Sequence, residues 1–281
     1  MKKLEKSRQI QIISYINSFI LSVLIAVICI LPLFYIFVLS PDRILYTMER
    51  SYFYTKVQIY SMESASDILT PTGVENSILE GAFSVTDIQS IVNNTMDGTS
   101  RDEAKNATME HVKNVLKENI YTFISNNEIP ENEVAEEAID EIVQALADDF
   151  ENNLTLPFVA QLHSIQATYR TFMPVALIGS VVISAGIALL LLKLNHWKHR
   201  AIRYYAYSCG GASLMLLLIP LALRVWGGYE RVGLSPEFLY DFFVLHVHMA
   251  LNTFIVCGVV LIIITVLLCI LSEKLRHWLT K

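Results

Sequence analysis

Four polar residues stand close together at the start of the last apolar stretch of the sequence: Asp241, His246, His248 and Asn252. At about 100° per residue of helix, Asp241, His248 and Asn252 share one face and His246 points elsewhere. Polar side chains at membrane depth are costly and usually face protein or water, and histidine changes charge near neutral pH. Together with Arg224 from the preceding apolar stretch, the cluster could form a proton-responsive, metal-binding or ligand-binding site.

The same polar residues could instead serve helix packing alone. Arg224 could pair with Asp241, Glu230 or Glu237, and the remaining side chains could hydrogen-bond between helices near the lipid headgroups. The segment His246–His248 lacks the four-ligand spacing of a zinc site, and His163 could join it only if the fold placed it there. We therefore predict neither a metal nor a cofactor, and the functional and structural interpretations both stay open.

Other catalytic signals are missing from the sequence. It has no phosphate-binding glycine loop, no His-Glu-x-x-His pair, no nucleophile elbow and no cysteine-based redox motif. We therefore predict a protein that is not an enzyme.

Four apolar stretches must position the polar cluster, and each is long enough to cross a membrane. A bilayer core about 30 Å thick needs roughly 20 apolar residues of helix. The runs 9–41, 171–192, 204–223 and 242–272 meet this requirement, in a chain of 281 residues that is 53% hydrophobic. The sequence predicts an all-α integral membrane protein with transmembrane helices at 12–39, 171–192, 204–226 and 239–272.

The charges beside these stretches predict which ends face the cytoplasm. Eleven lysines and arginines lie in 1–11, 193–203 and 273–281, against only Glu5 and Glu273, whereas residues 41–170 hold 22 acidic and 8 basic residues. Basic residues flanking spans stay on the cytoplasmic side. We therefore expect both termini and the loop 193–203 in the cytoplasm, and the domain 40–170 and the hairpin 227–238 outside.

The exported segment 40–170 reads as a helical domain inserted between the first two spans. Ser84 with Asp87 resembles a capping box that opens a short helix ending near Met96. The side chains Met109, Val112, Leu116, Ile120 and Phe123 follow the spacing of a helix that buries one stripe. A final helix through Phe158, Leu162 and Ile165 is expected to run directly into the second span.

Two further helical stripes are expected in this exported segment. Ile44, Met48, Tyr52 and Ile59 share one face of a helix that extends the first span. In the next-to-last helix of the segment, the buried face is expected to consist of Val134, Ala138, Ile142 and Ala145.

Two surfaces of the predicted fold could bind other molecules. The first is acidic and consists of Glu133, Glu136, Glu137, Asp140 and Glu141; it could attract a basic partner or simply be solvated. The second is a ridge of small side chains in the second span, Ala176, Ser180, Ser184 and Ala188, which lets another helix approach closely. That helix could belong to the same bundle or to another subunit.

The cysteines give a weak indication of the source. Cys29, Cys209, Cys257 and Cys269 all lie in predicted spans, so disulfides cannot hold the exported domain. An exported domain without disulfides favours a bacterial cell membrane.

The layout of one span, a helical exported domain and three further spans, with the segment Thr72-Gly73-Val74-Glu75-Asn76-Ser77 inside the domain, resembles uncharacterised membrane proteins of Gram-positive bacteria. The resemblance covers the layout and this short segment, and it implies no activity.

Function is expected to follow from the exported domain. The leading hypothesis is a multi-pass membrane protein that binds a protein partner, self-associates or senses an extracellular condition through this domain, in contact with the bilayer and with no nucleic acid. The alternative is a small transporter, channel or immunity-type protein that uses the polar cluster of the fourth span. A third hypothesis is a membrane enzyme, which would require the same cluster to face a water-filled pocket.

Overall fold

The computed structural model describes residues 2–97, 101–127, 136–156, 158–195 and 198–279. In these residues the regular secondary structure is entirely helical. The α-helices are α1 Lys2–Phe34, α2 Pro41–Arg50, α3 Phe53–Leu69, α4 Val85–Asp97, α5 Arg101–Asn126, α6 Glu136–Leu154, α7 Val159–Leu194, α8 Lys198–Trp226 and α9 Glu237–Leu279. A π-helical turn, Tyr35–Leu39, continues α1, and short 3₁₀ turns lie at Thr70–Thr72, Asn76–Leu79 and Gly228–Arg231.

The chain divides into two compact units. The span unit comprises residues 1–43, 164–233 and 244–281, and the inserted unit comprises residues 44–163 and 234–243. The start of α9 therefore belongs to the inserted unit and the remainder of α9 to the span unit.

Within the described residues, four segments are long and apolar enough to cross a membrane, as the sequence predicted. They run over Arg8–Leu39, Glu136–Leu194, His199–Arg231 and Glu237–His277, and the second includes α6 before the apolar part of α7. In the most apolar part of each segment no more than 33% of the residues are buried within the chain, as expected of helices whose outer faces meet lipid.

Helix α1 packs most extensively against α8 within the span unit. Buried serines line this contact: the Ser18 hydroxyl lies 2.9 Å from the Tyr204 carbonyl oxygen and 3.0 Å from the Ser208 hydroxyl, which lies 2.9 Å from the Ser18 carbonyl oxygen. One turn further along, Gly211 faces Ser22. Small residues of this kind let membrane helices approach closely.

The ridge of small side chains in α7 contributes to the same bundle. Ser184 and Ala188 line a groove of about 410 Å³ together with Leu21 and Ile25 of α1 and with Tyr205 of α8. The Tyr205 hydroxyl donates a hydrogen bond of 2.6 Å to the Ala188 carbonyl oxygen. This end of the ridge thus faces helices of its own chain, whereas Ala176 and Ser180 nearer the other end are half-buried.

The inserted unit has one continuous apolar core, to which α2 to α6, the start of α7 and the start of α9 all contribute. Phe83 and Phe150 stack in it with ring centroids 4.6 Å apart, and both are almost completely buried.

The predicted buried stripe of α5 is confirmed, since Met109, Val112, Leu116 and Ile120 are buried, although Phe123 is only partly buried. The predicted cap by Ser84 also forms: the Asp87 amide donates to the Ser84 hydroxyl at 3.1 Å, and that hydroxyl donates to the Asp87 carboxylate at 2.7 Å.

The expected stripe through α2 and α3 is wrong in its second half. Ile44 and Met48 are buried, but Tyr52 and Ile59 are exposed. The reason is that the helix is interrupted: Ser40 is extended after the π-helical turn, and Tyr52, with φ of 56°, adopts a left-handed conformation between α2 and α3. This break rotates α3, so a single helical register cannot relate residue 48 to residue 59.

The expected buried face of α6 is also wrong. Ala138 and Ala145 are exposed and Ile142 is only partly buried, while Val134 lies outside the described residues. The core instead receives Ile139, Val143, Leu146, Ala147, Phe150 and Leu154. This face is favoured because it buries larger apolar side chains at nearly the same spacing.

The buried phenol Tyr54 makes the stability of the inserted unit sensitive to alkaline pH. Burial, together with the nearby charge of Glu49, raises the pKa of Tyr54 to about 12; the side chain is 6% exposed. Because the pKa of Tyr54 is higher in the folded than in the unfolded state, the protonated phenol stabilises the fold fully below pH 10. This stabilisation is lost as the pH rises towards 12. We expect the wild type to lose roughly 2–3 kcal/mol of unfolding free energy over this range relative to Tyr54→Phe.

This prediction is measured by chemical unfolding of the two full-length proteins at pH 9 and pH 12. Phenylalanine keeps the ring in the core and removes only the titrating hydroxyl, which lies 3.4 Å from Asn93 Oδ1. Parallel pH profiles for the two proteins would contradict it.

Candidate functional site

The polar residues singled out at the start of α9 do not form one cluster in the described structure. Asp241 lies in the inserted unit, whereas Arg224, His246, His248 and Asn252 lie in the span unit. Asp241 pairs with Lys56 of α3, in place of the Arg224 that the sequence suggested. Around this ion pair, Phe238 packs edge-on against Phe53 at 5.2 Å and against Tyr60 at 5.6 Å. Asp241 therefore helps to fix the start of α9 to α3.

Arg224, His248 and Asn252 hold the turn between α8 and α9. Arg224 donates a hydrogen bond of 2.9 Å to Asn252 Oδ1. His248 Nε2 lies 3.0 Å from a Glu230 carboxylate oxygen and 3.3 Å from the Tyr229 hydroxyl. Because each polar group has a partner within the turn or the two helices that flank it, these contacts stabilise the α8–α9 hairpin.

His246 contacts the irregular end of α1. Its Nε2 atom lies 3.1 Å from the Val38 carbonyl oxygen, within the π-helical turn. Two side chains of α7 bond the same part of α1: Gln166 donates to the Leu39 carbonyl at 2.5 Å, and the Tyr169 hydroxyl donates to the Leu31 carbonyl at 2.7 Å. Carbonyls at an irregular helix end need such partners, since the helix itself does not satisfy them.

Pro32 inside α1 was the one signal in the sequence that could have pointed to this irregular end. Proline removes a backbone donor and disturbs the turn before it, and π-helical turns occur frequently at functional sites. The sequence does not show that side chains of α7 and α9 converge there, because that depends on the packing of three helices.

An apolar cavity of about 340 Å³, hereafter the hairpin-end cavity, lies among α1, α8 and α9. Its lining residues are Ile30, Phe34, Val38, Met215, Leu216, Ile219, Pro220, Leu223, His246, Val247, Ala250, Leu251 and Phe254. Among the described residues that line it, His246 alone has a titratable side chain. The cavity can hold hydrocarbon and offers little to a polar ligand.

The acidic surface predicted on α6 is partly neutralised by lysines of α5. Lys117 lies 2.8 Å from Asp140, and this hydrogen bond raises the pKa of Lys117. Lys113 donates to Gln144 at 2.7 Å, one turn further along. Glu136, Glu137 and Glu141 remain exposed, and Glu133 lies outside the described residues. The surface that could meet a partner is therefore smaller than the sequence suggested.

A second surface of the inserted unit, hereafter the α3 face, was missed in the sequence because helical spacing placed Tyr52 and Ile59 on one face with Ile44 and Met48. Tyr52 is 72% exposed and Ile59 is 59% exposed, and Tyr60 and Met62 are also exposed. Beside them a groove of about 220 Å³ is lined by Lys56, Ile59, Tyr60, Glu63, Glu237 and Phe238. The α3 face thus combines exposed apolar side chains, a groove and two carboxylates.

The described residues contain no group of three or more histidine, cysteine or acidic side chains arranged to hold a metal ion. His163, which could have joined a metal site, lies in the inserted unit with Nε2 3.0 Å from the Met96 carbonyl oxygen.

The part of the chain that the structure describes has four helices long and apolar enough to cross a membrane, which indicates a multi-pass membrane protein in contact with the lipid bilayer. Comparison with protein-family models, with curated proteins and with solved structures finds no match to the chain.

Proposed function

We propose that this chain is a membrane-anchored binding protein, whose inserted unit lies outside the cytoplasm and binds a protein partner through the α3 face. The observation that carries the proposal is the exposure of Tyr52, Ile59 and Tyr60 beside a groove. The span unit then serves as its anchor.

The charge distribution supports the proposed side of the membrane. The basic residues near the span ends concentrate in 1–11, 193–203 and 273–281, and residues 41–170 carry a net charge of −14. Lysines and arginines in short segments beside the spans stay on the cytoplasmic side, which leaves the long segment 41–170 on the other side.

The composition of the α3 face supports binding of a protein. Tyrosine and methionine are enriched at protein interfaces, and tyrosine buries a large area at low entropic cost. The other side of α3 supplies Phe53, Val57 and Leu69 to the core, so the core does not require the exposed apolar residues.

The backbone conformation of Tyr52 gives a second reason to regard this surface as a binding surface. Its left-handed conformation, with φ of 56°, costs a residue with a Cβ atom about 1–2 kcal/mol. Asparagine or glycine would adopt the same conformation more easily. A tyrosine that is exposed and yet backbone-strained is unfavourable for folding alone, which favours a role for its side chain in binding.

The groove defines the chemistry of the partner. A volume of about 220 Å³ between Ile59, Tyr60 and Phe238 accommodates one apolar anchor side chain. Glu63 and Glu237 line the same groove, so a lysine or arginine beside the anchor would complement their charge. We therefore propose a protein partner with an apolar residue flanked by basic residues.

The charge-introducing variant Ile59→Glu tests this proposal in intact cells. The full-length protein and the variant are crosslinked, purified and compared by mass spectrometry of the proteins that copurify. The substitution replaces the apolar contact of Ile59 with the partner's anchor residue by a buried carboxylate, which is unfavourable. Hot-spot substitutions cost at least about 2 kcal/mol, so we expect the partner to decrease about thirtyfold or more.

The matched control is Tyr121→Glu, because Tyr121 is exposed on α5 of the same unit and does not line the groove. Equal amounts of every copurifying protein in wild type, Ile59→Glu and Tyr121→Glu would reject the α3 face as the binding surface.

A further inference from the structure

The hairpin-end cavity is half open and is lined by residues from three membrane-spanning helices. Phe34 and Val38 of α1, Ile219 of α8 and Ala250 of α9 contribute to its walls. The ring of His246 is directed to the Val38 carbonyl at 3.1 Å. The polar group of the lining is therefore already bonded to the protein, and the remaining surface is apolar.

Such a lining selects hydrocarbon over water. A buried water needs two to four polar partners, and apolar cavities take up apolar molecules. The volume of about 340 Å³ falls at the lower end of the range for ligand pockets. Ile219, which lines the cavity, is also largely exposed on the outer surface of α8, and that surface meets acyl chains in a bilayer.

Positive charge lies at the same end of the span unit. The Arg43 guanidinium lies 5.3 Å from the centroid of the Phe37 ring, next to the wall residue Val38. Arg224 follows the wall residue Leu223 and reaches Asn252 across the α8–α9 contact. Arginine side chains beside a span attract anionic lipid head groups.

We propose that the hairpin-end cavity binds one acyl chain of a membrane phospholipid whose anionic head group lies against Arg43 and Arg224. This site is independent of the α3 face and of the partner proposed to bind there.

Photolabelling of the purified full-length protein in lipid nanodiscs tests the proposed site. The probe is phosphatidylglycerol with a diazirine at the end of one acyl chain, and the reference probe is phosphatidylcholine with the same chain. We expect adducts of the phosphatidylglycerol probe on α8 and α9 residues that line the cavity. Arg43→Gln is expected to lower this labelling about fivefold, because it removes one charge that attracts the head group.

Two variants that fill the cavity make the test specific. Ala250→Phe places a ring inside it, and Leu223→Phe does so at its more exposed edge, where misfolding is less of a risk. Each is expected to remove most of the labelling of the lining residues. Val256→Phe is the matched control, since Val256 is 61% exposed on α9 and does not line the cavity.

Adducts spread over the exposed faces of α8 and α9, with no loss in either filling variant, would overturn the proposal. Equal labelling by the two probes would overturn it as well, because the site would then not select an anionic head group.

Discussion

Gly211→Leu is expected to weaken the packing of α1 against α8 and to lower the unfolding temperature of the protein. A Cβ atom at position 211 would lie 3.0 Å from both Cβ and Oγ of Ser22, closer than ordinary van der Waals contact. Ser22 is itself buried in the contact between the helices, so it cannot move aside into lipid. Overpacking a core costs about 1–3 kcal/mol, and here it also disturbs the neighbouring contact of Ser18 with Ser208.

The measurement is thermal unfolding of the full-length protein in detergent, followed by size-exclusion chromatography of the surviving fraction. Gly186→Leu is the matched control: it also lies in a span, and a Cβ atom there would have no neighbour within 4 Å. We expect the control to unfold at the wild-type temperature and Gly211→Leu to unfold well below it. Identical unfolding of both variants would show that α1 and α8 do not pack through this glycine.

Phe150→Ala is expected to loosen the inserted unit while the span unit stays folded. Phe150 is 0% exposed and stacks on Phe83 at 4.6 Å, at the point where α6 meets the turn before α4. Phenylalanine-to-alanine changes in cores cost about 3–5 kcal/mol, a large part of the roughly 5–15 kcal/mol that stabilises a typical domain. Opening of the unit should therefore become at least about a hundredfold more frequent.

Limited proteolysis of the full-length protein in membranes measures this opening. Cleavage within the inserted unit follows the population of the open form when closing is fast. Phe150→Leu keeps most of the buried volume and is expected to be cleaved at an intermediate rate, while the exposed Tyr121→Ala should match the wild type. Wild-type cleavage rates in Phe150→Ala would mean that the Phe83–Phe150 stack does not hold the unit together.

The sequence predicts those elements that depend on local pattern. The apolar runs identify the helices long enough to cross a membrane, because a bilayer sets their minimum length. Ser84 and Asp87 predict the start of α4, since the capping interaction involves residues only three positions apart. The stripe of α5 from Met109 to Ile120 follows directly from helical periodicity.

Elements that depend on a break or on a choice between two faces could not be predicted. Position 52 holds neither glycine nor proline, the residues that usually predict a break in a helix. The sequence therefore does not predict the left-handed conformation of Tyr52 or the rotation of α3. In α6, alanines at 138 and 145 and larger residues at 139 and 146 follow almost the same spacing. Only the packing against α3 and α5 determines which set is buried.

The contacts of the candidate site could not be predicted either, because they also depend on packing between elements. Helical spacing placed Asp241, His248 and Asn252 on one face, which is a statement about α9 alone. Their partners come from elsewhere in the chain: Lys56 for Asp241, Glu230 and Tyr229 for His248, and Arg224 for Asn252. The spacing of residues in one helix does not identify partners that other elements supply.

Site-specific photo-crosslinking from position 59 in intact cells tests the proposed binding function most directly. A photoreactive amino acid replaces Ile59 on the α3 face in one version of the full-length protein and Tyr121 on α5 in another, and crosslinked proteins are identified by mass spectrometry. A discrete protein adduct from position 59 that is absent from position 121 is the result we predict. Adducts from both positions alike, or from position 121 alone, would contradict the assignment of the α3 face as the surface that binds a protein partner.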